Sequence, residues 1–437
     1  MLVLYNVLLL IGGILGLPFI IPRIILSEKR RQTVLQRLGL TSLPESLRQA
    51  SDRKRIWIHA LSVGEVLSAV PLVKEVADRF GKNNVVFSAS TKTGFDIANK
   101  RLSEDVDAIF FFPYDFIFSI KRVLSKVRPQ LVIIVETDIW PNFLAETKAR
   151  RVPVLLVNAR LSEKSFAGYT RLAVFTRSVF SEFSRICAQT PEDARRFKLL
   201  GVPPQRVTVT GNIKFDQPAP PMSDEEIGQL RHSMNIQPCQ RIIVAGSTHP
   251  GEEPPLSEAL TQIRKVHKNL MMIIAPRDPK RSASVRQVFQ SAGFLAVLMS
   301  ELDHVPRGKR MDVIVIDAIG LLSQLYALAD VAFVGGSLIP FGGHNPLEPA
   351  VFSKPVLFGP GMTNFTQIAN MLLNAGGAIQ VADAENFSKA ATTLIEDREA
   401  SGKMGSHALG VFNANRGALE KTLKEIEQHY VGYQRKN

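Results

Sequence analysis

From residue 56 onward, short apolar runs alternate with helix-like stretches, and a single proline-rich break divides the alternation into two series. The first series has strand-like runs at residues 56–61, 85–89, 108–112, 131–135, 154–157, 185–188 and 207–210. The second has them at 242–245, 270–275, 313–316, 331–334, 356–358 and 378–381. Runs that are apolar throughout, rather than alternating, fit strands of a parallel sheet covered on both faces by helices. The break, Asp216-Gln217-Pro218-Ala219-Pro220-Pro221-Met222-Ser223, continues neither a sheet nor a helix. The pattern predicts two doubly wound α/β domains of ordinary size within 437 residues. Ligands of such sheets bind outside the carboxyl ends of the strands, and a cleft between two such domains is the expected ligand site. No Gly-x-x-x-x-Gly-Lys-Ser/Thr occurs, and no Gly-x-Gly-x-x-Gly follows a first strand, which argues against a P-loop ATPase and a dinucleotide enzyme.

The chain ahead of the first strand has a different character. Residues 1–22 carry no charged side chain, and residues 2–21 are nearly all apolar, with Gly12, Gly13, Gly16 and Pro18 among them. About 20 such residues suffice to span a hydrocarbon core; a helix lying in one leaflet is the other form of anchor this segment allows. Residues 23–55 then hold nine basic side chains against Glu28, Glu45 and Asp52. That asymmetry places the remainder on the cytoplasmic side and suits an anionic membrane surface. The net charge of +13 is compatible with nucleic acid, anionic lipid or a phosphorylated substrate. No basic stripe with interleaved aromatic residues supports nucleic acid. Cys187 and Cys239 fit no metal spacing and suggest a reducing compartment.

Chemistry-bearing residues recur where the strands end. After the first run come Ser62, Gly64 and Glu65, with apolar helical positions following. A carboxylate there suits a general base, and a helix N-terminus favours its ionised form; a glutamate kept by the helix dipole alone fits the local sequence equally well. Further along are Glu136-Thr137-Asp138, Asn158-Ala159-Arg160 and the lysine of Gly211-Asn212-Ile213-Lys214. Asp105-Val106-Asp107 matches an Asp-x-Asp metal pattern but precedes its strand, at the wrong sheet edge. In the second series, Gly246-Ser247-Thr248-His249 offers backbone N–H groups to an anion. Pro276-Arg277 places a guanidinium suited to phosphate, unless it is a surface arginine in a proline turn. Gly335-Gly336-Ser337 leads to Gly342-Gly343-His344-Asn345-Pro346-Leu347-Glu348, where Asn345 reads as an N-cap and Pro346 as the first helical residue. That helix end would attract phosphate, and Glu348 would accept ribose hydroxyls.

Taken in order along nearly the whole chain, these motifs resemble the 3-deoxy-D-manno-octulosonic acid (Kdo) transferase family of lipopolysaccharide synthesis. The resemblance implies an α/β protein of the GT-B type, with two Rossmann-like domains facing a central cleft and an N-terminal membrane anchor helix. The expected divisions are an anchor at 1–26, a basic segment at 27–55, an acceptor domain at 56–215, a linker at 216–223 and a CMP-sugar domain at 224–437. The last helix of the second domain could pack back on the first. The implied reaction is inverting, metal-free and cofactor-free transfer of Kdo from CMP-Kdo to a lipid A precursor at the cytoplasmic face of the inner membrane. By position, Glu65 resembles the base, and Glu136 and Lys214 resemble residues supporting the transition state. Pro276, Arg277, Ile319, Gly320, Leu321, Asn345, Pro346, Leu347 and Glu348 resemble the CMP-Kdo site. Ser62, Gly64, Arg160, Ser247, Thr248, Gly336 and Ser337 are further candidates. Leu321 stands where the family usually carries an acid, and Asp278 where a basic residue is expected. Another membrane-associated protein of the same fold, acting on a UDP-sugar, is the alternative.

Overall fold

The computed structural model describes residues 2–41, 43–47, 54–216 and 222–434. Residues 217–221, the bulk of the expected linker, lie outside the described residues, as do Arg48 and Arg53 of the basic segment. The chain forms two compact units, one of residues 1–217 with 415–437 and one of residues 218–414.

The first unit is built on a seven-stranded sheet ordered β3-β2-β1-β4-β5-β6-β7, and every pair in it is parallel. Its strands are β1 (Arg55–Ala60), β2 (Val85–Ala89), β3 (Ala108–Phe111), β4 (Pro129–Val135), β5 (Val154–Ala159), β6 (Arg185–Ala188) and β7 (Val207–Val209). Helices cover both faces, so alternate residues of one strand feed separate cores. Trp57 packs with Phe112, Phe143 and Ile134 on one side, and Ile56 and Ile58 with Val73, Val76 and Ile133 on the other. The C-terminal helix Ala418–Gln434 completes the second of these cores with Leu423, Ile426 and Tyr430.

The second unit repeats the plan with the order β10-β11-β9-β8-β12-β13-β14. Its strands are β8 (Arg241–Thr248), β9 (Leu270–Pro276), β10 (Ala296–Leu298), β11 (Val313–Val315), β12 (Val331–Val334), β13 (Val356–Phe358) and β14 (Ala378–Gln380). Among the described strands, only β10 is missing from the expected set: it is a three-residue edge strand inside the apolar run 294–299, with Val297 and Leu298 half-buried.

Strand order reverses between β1 and β4 in one sheet and between β8 and β12 in the other. Ligands of doubly wound sheets bind at such switch points. The loops that leave these four strands are therefore where chemistry is expected.

Ahead of β1, helix α1 (Leu2–Ile25) and helix α2 (Glu28–Arg37) precede the first sheet. The window from Leu2 to Phe19 is long and apolar enough to cross a membrane, with a mean hydropathy of 2.2 and none of it buried.

Candidate functional site

In the first unit, β1 ends at Ala60, and Ser62 in extended conformation caps helix α3 (Val63–Phe80). Glu65 is the third residue of that helix. Its carboxylate turns back to accept the Leu61 N–H at 2.6 Å and the Ser62 hydroxyl at 3.3 Å. Gly94, in the first turn of the helix that follows β2 (Lys92–Leu102), packs against the same turn, and a Cβ there would meet Thr91 Oγ1 at 2.8 Å and Ser62 at 3.5 Å. The helix terminus was expected to hold Glu65 ionised. Instead its carboxyl is pushed up to about 7, chiefly by burial and then by the charge of Glu136, against the opposing hydrogen bond from Leu61. Loss of hydration and a like charge outweigh one backbone donor and the dipole. A base poised near neutrality is the better general base.

Glu136 leaves β4 across the switch point with φ of +64°, a left-handed conformation that a non-glycine residue adopts at a cost of about 1–3 kcal/mol. The twist aims its carboxylate at Lys214, whose Nζ lies 3.5 Å away. Asn158, at the end of β5 with φ of +52°, accepts the Ile213 N–H and fixes the turn carrying Lys214. Asp138 goes elsewhere: it is buried and meets His59 Nε2 at 2.9 Å. The ring of His59 is fully buried, faces Ser88 through Nδ1 and stacks on Phe112. The two acids of Glu136-Thr137-Asp138 are thus partnered in different directions. Among the described residues, no group of three or more His, Cys, Asp or Glu side chains converges as a metal site. Asp105 does precede β3 and pairs with Lys74 on α3. Arg160 is exposed, and its carbonyl takes the Thr137 hydroxyl.

His59 is the residue that sequence reasoning passed over. A lone histidine inside an apolar strand carries no signal of its partner, because Asp138 is 79 residues away.

The second unit revises several expectations. The sequence leads one to expect the loop after β8 to offer N–H groups to an anion. Glu252 occupies that role internally: its fully buried carboxylate accepts the N–H groups of His249, Gly336, Ser337 and Leu338 at 2.7–3.0 Å. Thr248 is fully buried and donates to Glu253, which also receives Arg281 at 2.9 Å. Ser337 is buried, donates to Val334 and accepts from Gly359. Ser247 is likewise buried, with φ of +56°. Ser247, Thr248, Gly336 and Ser337 therefore shape the switch point from inside, wiring the β8 loop to the β12 loop.

The helix expected from Pro346 begins one residue later and is a single turn, Leu347–Ala350. Asn345 accepts the Leu347 N–H at 3.1 Å across an Asx turn, with Pro346 as the capping residue. Four residues supply little macrodipole, so the anion-attracting helix end loses most of its force. Arg277, exposed at the carboxyl end of β9, is the cation that remains. It acts on Glu348, His249 and His344 together, which places these residues around one spot. Burial raises the Glu348 carboxyl to about 7 against the pull of Arg277. Burial and Arg277 hold His344 down at about 4, so it is neutral, 2.8 Å from His249 and part of a stack with Phe341. Gly320, with φ of +96°, turns an exposed loop that begins at Asp317, which Ser300 holds. Ile319 at its tip is 74 % exposed, whereas Leu321 packs toward the core that contains Tyr326. Asp278 caps the turn Pro279–Arg281 by accepting the Lys280 N–H.

Residues 32–217 match the family model for 3-deoxy-D-manno-octulosonic-acid transferase. The 3-deoxy-D-manno-octulosonic acid transferase of Haemophilus influenzae is 32% identical over 430 residues, covering 97% of this chain and 98% of that one. The chain belongs to the Kdo transferase family. The Bordetella pertussis enzyme of the same description is 31% identical over 379 residues, 85% of this chain and 86% of its own. Among solved structures, a UDP-GlcNAc 2-epimerase from Neisseria meningitidis aligns with a TM-score of 0.55 over 85% of this chain and all of its own, at 16% identity. That likeness shows the twin Rossmann-like, GT-B fold and nothing of the substrate. As a Kdo transferase, the protein is a glycosyltransferase of lipopolysaccharide synthesis.

Proposed function

We propose that this Kdo transferase takes Kdo from CMP-Kdo and passes it, with inversion, to a hydroxyl of a lipid A precursor. Glu65 removes the acceptor proton as the hydroxyl oxygen attacks the anomeric carbon. The bond to the CMP phosphate breaks with its electron pair, and CMP leaves as a phosphate monoester. Glu136 and Lys214 form the ion pair that steadies charge near the base, and Arg277 meets the phosphate with a charge-assisted hydrogen bond. Glu348 and residues 345–347 hold the nucleoside, while residues 319–321 offer it backbone groups, since Leu321 supplies no acid. The observation that carries this reading is a half-buried carboxyl near neutrality at the β1/β4 switch point, beside a Glu–Lys pair held by a strained backbone. The basic collar and apolar helix α1 support association with the cytoplasmic face of an anionic inner membrane, where such an acceptor resides.

Turnover of purified Glu65→Gln with CMP-Kdo and lipid A precursor tests the assignment. The substitution keeps the size and the Leu61 hydrogen bond but cannot accept a proton. A fall of about 10²–10⁴-fold is expected, with CMP-induced stabilisation intact. Near-normal turnover would move the base to Glu136.

A further inference from the structure

Helix α1 is apolar enough to cross a bilayer, yet its contacts argue for a different placement. Two of its polar side chains, Tyr5 and Asn6, lie near its start, and both are bound to the first unit. The Tyr5 hydroxyl donates to Asp115 Oδ2 at 3.0 Å, and its ring stacks on Phe175. Asn6 exchanges two side-chain hydrogen bonds of 2.8 Å with Asn142, which is fully buried. Leu2, Tyr5, Asn6 and Leu9, one helical stripe, are half-covered, while Val3, Leu4, Val7, Leu8, Leu10 and Ile11 are exposed.

The far end of the helix pair comes back to the same place. Arg37, the last residue of α2, donates through Nε to the Phe112 carbonyl at 2.9 Å and accepts the Tyr114 N–H. Residues 5 and 37 therefore both close on residues 112–115. A spanning α1 would separate Tyr5 from Ile25 by about 30 Å along the membrane normal, the thickness of the hydrocarbon core. Tyr5 and Arg37 could not then touch one segment of a cytoplasmic unit. Nor can the pair plunge into the bilayer tip-first, because α2 carries Glu28, Lys29, Arg30, Arg31 and Arg37.

We infer that α1 lies lengthwise in one leaflet of an anionic membrane, its covered stripe on the first unit and its remaining faces in lipid. The chain is then monotopic, with both ends of α1 on the side of the catalytic unit. Exposed Arg31, in a stretch of α2 rich in basic residues, supplies the charge complement of phosphate headgroups, which fixes the occupant as a lipid surface. Exposed apolar side chains next in sequence to both docking points extend the lipid-facing surface: Phe118 three residues after Asp115, and Val174 beside Phe175. This inference rests on the membrane association proposed above.

The test is cross-linking in native membranes. In the full chain with the exposed Cys239 replaced by serine, Tyr5→Cys is paired with Phe175→Cys, and separately Asn6→Cys with Asn142→Cys. The shortest bis-methanethiosulfonate is added to inner-membrane vesicles, and activity reports folding. Linkage within either pair is expected. Absence of linkage in both, when each single cysteine reacts with a monofunctional maleimide in detergent and the chain sediments with membranes, would overturn the inference in favour of a spanning helix. A chain found in the high-speed supernatant without detergent would instead overturn the membrane reading on which it stands.

Discussion

The two sheets present a carboxylate at the same topological position, after the strand beside the switch point, and use it in opposite ways. Glu252 follows β8, is fully buried and receives four backbone N–H groups. Glu65 follows β1, is half-buried and receives one. Burial raises both carboxyls. Four donors bind the Glu252 carboxyl to two loops and hold them together. One donor, with Glu136 adding repulsion, leaves Glu65 near neutrality and able to exchange a proton. At otherwise equivalent positions, the number of backbone donors separates a carboxylate tied into the fold from the one proposed as the base.

The contrast breaks most readily at Glu65 itself. Glu65→Gln should lower turnover by about 10²–10⁴-fold and also stabilise the fold at alkaline pH. A carboxyl with its folded pKa raised from 4.5 to about 7 favours the fold below pH 4.5, and that advantage fades as pH rises through about 7. At pH 8 the native chain therefore bears a cost that glutamine avoids, of about 1–2 kcal/mol after allowance for partial solvent screening. Thermal melts at pH 5 and pH 8 check the sign: the stabilisation should appear only at pH 8.

Glu252→Gln should do the reverse, damaging structure more than chemistry. An amide oxygen cannot serve four donors as a carboxylate does, and each buried N–H left without an acceptor costs about 1–3 kcal/mol. A lower denaturation midpoint together with lost CMP binding is expected; a native melt would show that the four contacts contribute little.

Arg277→Ala and Glu348→Ala test the ligand side of the second unit. Loss of a charge-assisted hydrogen bond of about 1.5–3 kcal/mol weakens CMP binding roughly ten- to more than a hundredfold, measured by titration calorimetry. An unchanged dissociation constant in both would remove the residues around Arg277 from the nucleotide site.

A smaller effect sharpens the account of Glu65. Its rate profile should fall as pH drops below about 7, because only the carboxylate accepts a proton. Glu136→Gln removes the second-largest cause of the raised value, so the midpoint of kcat against pH should move to lower pH, by less than the burial contribution. No movement would show that burial alone sets it. The smallest expected effect is none: turnover should persist in excess EDTA, since Asp138 is engaged by His59 and Glu136 by Lys214. Full dependence on an added divalent cation would reassign both acids.

How far the sequence carried the reading follows the same division between local and distant causes. Among the described residues, thirteen of the fourteen strands were anticipated because strands covered on both faces are uninterrupted apolar runs; the edge strand β10 was overlooked although it lies in such a run, at 294–299. The position of Glu65 was legible from strand, turn and helix in eleven consecutive residues. Its proton affinity was not, since burial and Glu136 are set by the fold. The glycine-rich turn after β12 was legible as following that strand, but the carboxylate that takes its N–H groups was not, because Glu252 comes from 84 residues earlier. Asn345 was a sound turn signal whose helix proved only one turn long.

The return of the C-terminal helix to the first unit has a consequence for the order of events during synthesis. Residues 218–414 form a contiguous unit that can fold once they have left the ribosome. The first unit cannot, although it is made earlier, because Leu423, Ile426 and Tyr430 complete its core. Asp216, in the same turn as Lys214, accepts the N–H groups of Gly417 and Leu419 at 2.6 Å and so waits for that helix as well. Lys214 thus reaches its place beside Glu136 only after nearly the whole chain has emerged. A polypeptide truncated ahead of residue 417 therefore lacks the contacts that seat the turn carrying Lys214, and with them the Glu136–Lys214 pair on which the proposed reaction relies.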